Sequence, residues 1–197
     1  MPSSDLVQGH DSASRSRRQK PHVFVALGVV LCLAASLHAD LATEYQVKAG
    51  FLYNFAKFVT WTPETFNEGH QLFNICVSGD RSWDRALEET LKGKTVDGRV
   101  IVSRSIHSEK DVKGCQVLFV PAPEESKWES LMLDAKLPGV LTVTEGSREG
   151  KHRKSAAVIT FVLDENRVRF VINTKAAEKA GLVISSRLLS LALEIQQ

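Results

Sequence analysis

The sequence is poor in the residues that carry chemistry. Its 197 residues include three cysteines, six histidines and two methionines. No H-E-x-x-H pair, G-x-S-x-G elbow, P-loop or G-x-G-x-x-G turn occurs in it. Beyond residue 39 the histidines are His70, His107 and His152, and none has a neighbour at metal-ligand spacing. No metal and no cofactor is therefore expected. His107 stands close to Ser103 and Ser105 along the chain, which does not by itself make a catalytic pair. The paired carboxylates Glu88-Glu89 and Glu124-Glu125 read as solvated helix surface. The expectation is a protein that is not an enzyme.

Net charge is also small. The formal charge of the chain is +2, and residues 1–39 supply all of it through Arg15, Arg17, Arg18 and Lys20 against Asp5 and Asp11. The rest is near neutral, so no electrostatic case for nucleic acid remains. Only one long charge-free run occurs, Val23 to Leu37, directly after the basic cluster. It is short for a bilayer span and has the length of a signal-peptide core. Residues 1–39 thus read as a secretory signal peptide and 40–197 as one periplasmic domain. Ala39 is the first choice for the residue before cleavage, and Ser36 with Ala34 the second. An uncleaved anchor helix is the alternative. Arg17-Arg18 lacks the apolar residues that follow a twin-arginine signal, and Cys32 follows Leu31 rather than the small residue that lipidation needs.

Export makes Cys76 and Cys115 disulfide candidates. A bridge would close a loop of about 40 residues and contribute about 4 kcal/mol in the chain-entropy account. Two buried free thiols are the alternative. Neither cysteine has C-x-x-C spacing, which argues against a redox or zinc role.

With 43% hydrophobic residues the chain can build a core. Val47, Phe51, Phe55, Phe58 and Thr62 recur at three- and four-residue spacing and predict a first helix, capped by Thr43 and ended by Pro63. Short apolar strands are expected at 72–77, 100–103, 117–120 and 140–144. Helices are expected from Ser82 to about Leu91 and from Glu125 to Ala135. Glu145–Lys154 reads as an exposed loop. Residues 157–163 and 168–172, joined through Asp164-Glu165-Asn166-Arg167, predict a hairpin. Asn173-Thr174 then cap a short helix closed by Gly181. Ser185 or Ser186 starts a last helix burying Leu188, Leu189, Leu191, Ala192 and Ile195. The expected fold is a single α/β domain. Its mixed sheet has about six strands with helices packed on it, and a C-terminal β-hairpin is followed by two helices.

One place suits a small ligand. Gly79, Asp80 and Arg81 lie between a strand and a helix N-terminus, where free N–H groups attract anions. An α/β crevice holding a metabolite there would use Gly79, Asp80 and Arg104.

Two longer stretches carry a resemblance. Val47-Lys48-Ala49-Gly50-Phe51-Leu52-Tyr53-Asn54-Phe55-Ala56-Lys57-Phe58-Val59-Thr60-Trp61 resembles the opening signature of the YfiR-like periplasmic proteins. The ending is similar too: Arg169-Phe170-Val171-Ile172-Asn173, then Ala176-Ala177, then the run from Gly181 through Ser185-Ser186-Arg187 to Ala192. Gly79-Asp80 and Gly93-Lys94 fit the same pattern, and the resemblance covers residues 43–195. It implies a periplasmic repressor that binds the periplasmic part of a membrane-bound diguanylate cyclase, or of a related sensor kinase, and holds down cyclic-di-GMP synthesis. It also implies sequestration by an outer-membrane lipoprotein and a fold sensitive to redox state. Cys76 and Cys115 match one disulfide of the family's named member. Its second has no counterpart, because Glu145–Lys154 contains no cysteine. A homodimer is compatible with this reading. A repressor needs a binding patch rather than an active site. Tyr53, Trp61, Trp83 and Trp128 are the candidates for it, since exposed aromatics anchor interfaces. Burial in the core is the alternative for each.

Overall fold

The structure is a computed structural model and describes residues 44–66, 72–79, 81–133, 137–146 and 155–197. The expected signal peptide, Thr43, Asp80, Ala135 and most of the loop expected at Glu145–Lys154 lie outside the described residues.

Helix α1 covers described residues 44–58. Its fully buried positions are Ala49, Leu52, Phe55 and Ala56. These share one face at three- and four-residue spacing. The predicted stripe through Val47, Phe51, Phe55, Phe58 and Thr62 is rotated from it. Val47 is 41% exposed, and Phe51 and Phe58 are half-buried. The reason is size: Ala49 and Ala56 let the helix axis approach the sheet closely, and large residues flank the contact. Phe51 and Phe55 still pack on Phe170, with ring centroids 5.6 and 5.0 Å apart. The helix ends at Phe58, well before Pro63, because Val59–Thr60 (β1) pairs antiparallel with Val183–Ile184 (β9).

The remaining elements are β2 (Leu72–Ser78), α2 (Asp84–Leu91), β3 (Thr95–Val96), β4 (Arg99–Ile106), β5 (Val117–Val120) and α3 (Glu125–Leu133), then β6 (Leu141–Glu145), β7 (Ile159–Asp164), β8 (Arg167–Asn173), α4 (Thr174–Lys179), α5 (Ser186–Leu189) and β10 (Glu194–Gln196). Eight strands form one mixed sheet in the order β10-β8-β7-β6-β5-β2-β4-β3. The β4-β2-β5-β6-β7 ladders are parallel, as is β10 on β8, while β7-β8 and β3-β4 are antiparallel.

Alternation along the strands builds two cores. Ile75, Val77, Val117 and Phe119 face α1 and α2, whose Leu52, Phe55 and Leu87 fill that side. Cys76, Leu118 and Val120 face α3, where Trp128 and Leu131 pack. Helices cover both faces of the central strands. That is why β5 reads as an unbroken apolar run instead of an alternating one. The β7-β8 hairpin turns at Glu165 and Asn166, both at positive φ (46° and 60°), as a two-residue turn between right-twisted strands needs.

Two expectations are corrected. The sheet has eight strands rather than about six, and β1 and β9 add a small second sheet. The four missed strands are two or three residues long, too short to show a period. The C-terminal layout also differs. Asn173 caps α4 by accepting from the Ala176 N–H at 3.0 Å, and Ser185 caps α5 by accepting from the Leu188 N–H at 3.2 Å. Yet α5 has only four residues, and Leu191 and Ile195 are 55% and 45% exposed. The chain leaves the helix because β8 has free backbone partners on its outer side. Leu193 N–H donates to Phe170 O at 2.8 Å, and β10 continues that pairing. A short terminal helix gives less than a ladder does.

Candidate functional site

From β2 the chain runs outward to β4, then crosses to the other side of β2 to form β5. The connections therefore diverge above the carboxyl ends of β2 and β5, which opens a crevice at this switch point. A cavity of about 520 Å³ lies there, and its lining includes Tyr45, Lys48, Ser78, Trp83, Glu124 and Glu145.

Lys48 is the centre of this site. It sits on α1 one turn before Leu52, and only 6% of it is exposed. Its ammonium donates to Glu44 Oε1 at 2.5 Å and to Glu145 Oε1 at 2.6 Å. Glu145, the last residue of β6, uses its other oxygen to accept from the Ala122 N–H at 3.0 Å. One carboxylate thus ties α1, β6 and the helical turn Ala122–Glu124 together. A buried ammonium requires such partners, because desolvation otherwise outweighs any gain.

Aromatic rings line the cavity beside Lys48. Tyr45 lies 4.4 Å from Trp83 between ring centroids, and Trp83 meets Phe119 edge-on at 4.6 Å. Lys48 Nζ is 6.0 Å from the Trp83 centroid. Gly79, also in the lining, has φ +101°, a conformation that favours glycine, and a Cβ there would stand 3.0 Å from Glu124 Cγ. The Ser78 hydroxyl is buried without a hydrogen-bond partner among the described residues. Among the described residues, Lys48 is the one cationic side chain in the lining, against three carboxylates, Glu44, Glu124 and Glu145. Lys127 lies 3.7 Å from Glu124 on the outer side.

The sequence-derived candidates fall in different places. Gly79 lines the cavity, and Asp80 lies outside the described residues. Arg104 is elsewhere, paired in register with Cys76 on the α3 face. Its guanidinium donates to the carbonyls of Asp111 and Lys113 and approaches Cys115 Sγ at 3.6 Å. Cys76 and Cys115 are joined in a disulfide, Cα to Cα 5.8 Å, which links β2 to the residue two before β5. Of the four aromatic candidates, Trp61, Trp83 and Trp128 are buried. Trp61 packs edge-on against Phe73 at 5.0 Å. Tyr53 is half-buried on α1, with Lys94 Nζ 4.5 Å and Lys57 Nζ 5.5 Å from its ring centroid. Ser105 donates to Asp84 Oδ1 at 2.8 Å and makes no pair with His107. Among the described residues, no three His, Cys, Asp or Glu side chains are grouped to hold a metal ion. No described helix is long and apolar enough to cross a membrane.

Sequence reasoning missed Lys48, Glu145 and the inward role of Glu124. A signal for the first was present. A lysine at the i−4 position of Leu52 and i−7 of Phe55 lies on the buried face and so requires carboxylate partners.

A family model described as YfiR/HmsC-like matches residues 45–193. No curated protein matches the chain. Among solved structures, a conserved domain protein from Vibrio cholerae O1 biovar El Tor aligns at TM-score 0.43 and 15% identity, covering 62% of this chain and 54% of that one. An ABC domain from Streptococcus pneumoniae, solved in complex with L-Trp, aligns at TM-score 0.41 and 14% identity, with 62% and 55% covered. The chain thus spans about half the length of these structures.

Proposed function

The chain belongs to the YfiR/HmsC-like family, and from that premise we propose that it is a periplasmic, non-enzymatic regulator that represses a membrane-bound diguanylate cyclase, or a related sensor kinase, by binding its periplasmic part. The observation that carries this reading is the family match over residues 45–193. The basic cluster and charge-free run before residue 39 support export by a signal peptide. Repression of this kind needs no reacting group. It needs a rigid fold whose affinity differs between two states of the partner, and the differential affinity sets how far the partner's equilibrium moves. Tyr53, which keeps part of its ring at the surface between two lysines, is the aromatic candidate best placed for such a contact.

The test is capture of the tagged mature protein with detergent-solubilised membranes of its host. Recovery of a cyclase or kinase with a periplasmic domain supports the reading. Deletion of the gene then raises cellular cyclic-di-GMP. Unchanged cyclic-di-GMP and no such partner would overturn it.

A second reading is favoured by the crevice. A cavity at the carboxyl ends of β2 and β5 is where open α/β sheets bind small molecules, so the domain also reads as a small-ligand sensor. The two readings are compatible, with the ligand acting as the signal that changes partner affinity.

A further inference from the structure

We propose that the crevice above β2 and β5 binds a small organic cation: an amine on an apolar or aromatic body, with its ammonium met by the glutamates and its body by Tyr45 and Trp83. This rests on the second reading above, that the crevice holds a small molecule.

Charge is the first observation. Among the described residues the lining carries one ammonium and three carboxylates. An anion entering would meet an excess of like charge in a partly dry space, while a cation would offset it. Lys48 does not present itself to a ligand, since Glu44 and Glu145 already hold it at 2.5 and 2.6 Å. The lining carboxylate outside the Lys48 pairs is that of Glu124. It pairs with Lys127 at 3.7 Å, a longer contact than those holding Lys48, and its Cγ lies beside Gly79 in the lining.

The walls are the second observation. Tyr45 and Trp83 stand together on one side, and an aromatic face attracts a cation placed over it. Pro121, Pro123, Phe161 and Leu163 also line the space, which suits an apolar body rather than a bare ion. The volume, about 520 Å³, is that of a small-molecule site.

The third observation is independent of charge. The Ser78 hydroxyl lies at the end of β2, is 1% exposed as a residue, and has no hydrogen-bond partner among the described residues. A buried polar group in that condition is costly unless something meets it. A hydroxyl can accept from an ammonium as readily as it donates.

The experiment uses two probes of the same shape and opposite charge, phenethylamine and 3-phenylpropionate. Each is titrated into the exported protein by calorimetry, with thermal melting in parallel. The expected result is saturable binding and a raised melting temperature with phenethylamine, and neither with phenylpropionate. Glu124→Gln, a half-exposed position outside the Lys48 pairs, should fold normally and weaken phenethylamine about tenfold. Glu145→Gln should weaken it too, and its melting curve reports separately whether the fold has suffered. Binding of phenylpropionate alone would overturn the cation proposal and leave the crevice as a ligand site. Binding of neither probe at millimolar concentration would overturn the proposal together with the small-ligand reading. Phenethylamine binding unchanged in Glu124→Gln would place the amine elsewhere and overturn the proposal while leaving a ligand site intact.

Discussion

Reducing the Cys76–Cys115 bridge offers a worked test of what holds the domain together. The cysteines are 39 positions apart, and the closed loop contains α2, β3 and β4. In the unfolded chain the cross-link removes loop freedom worth about 13 cal/mol/K, or about 4 kcal/mol at room temperature. Both sulfurs are buried, Cys76 fully and Cys115 nearly so, and reduced thiols remain small apolar groups. Little native packing is therefore lost on reduction, and the effect falls on the unfolded state. For a domain of this size about 4 kcal/mol corresponds to a fall in melting temperature of about 12 °C. The assay is thermal unfolding by circular dichroism of oxidised protein, reduced protein and Cys76→Ala/Cys115→Ala. Reduced protein should melt well below oxidised protein and close to the double variant. Oxidised and reduced melts within about 3 °C of each other would refute the argument, since the loop constraint would then not limit stability. A double variant far below the reduced protein would show that packing, not the cross-link, carries the effect.

Two further outcomes follow from charges. Lys48→Met leaves Glu44 and Glu145, with side chains 21% and 15% exposed, facing each other without an ammonium. It should cost about 3 kcal/mol in urea unfolding. Glu145→Gln should cost less, because Lys48 keeps Glu44; equal or reversed costs would refute the assignment. The Asp111 carboxylate accepts from the Ser108 hydroxyl, the His107 N–H and the Ser108 N–H, which lowers its pKa from the usual 3.8. A depressed carboxylate stabilises the fold above its unfolded value, and that contribution disappears as pH falls through the folded value. Melting temperatures of the wild type and Asp111→Asn should therefore differ most near neutrality and converge below the usual 3.8. A gap independent of pH would count against this role for the Asp111 carboxylate.

Much of the fold was legible because periodicity and punctuation agreed. β5, β6 and the β7-β8 hairpin lie within a residue or two of where apolar runs and turn residues put them, and Asn173 and Gly181 bound α4 as expected. Most of the failures depend on a partner segment that the local pattern does not name, far away in sequence for β1 and β9 and only a turn away for β3. β1, β3, β9 and β10 are strands because another segment supplies backbone hydrogen bonds, and two or three residues carry no period that reveals this. The face of α1 was misjudged because large side chains were weighted above Ala49 and Ala56, which set the closeness of approach. The crevice was legible in part, through Gly79 at a strand end. Lys48 and Glu145 were not, since 97 positions separate them and only the sheet order brings them together. Arg104 was drawn away because its strand faces α3 at that position.

The pairing of β10 with β8 has a bearing on handling the protein. With Glu194–Gln196 in place, the rim of the sheet is three residues long and offers little ladder to another copy. Displace those residues and the rim becomes β8, seven residues long, with Phe170, Val171 and Ile172 buried beside it. That is a template for intermolecular strand addition and the start of a precipitate. A substitution that loosens Glu194–Gln196, such as Ile195→Pro, therefore invites aggregation.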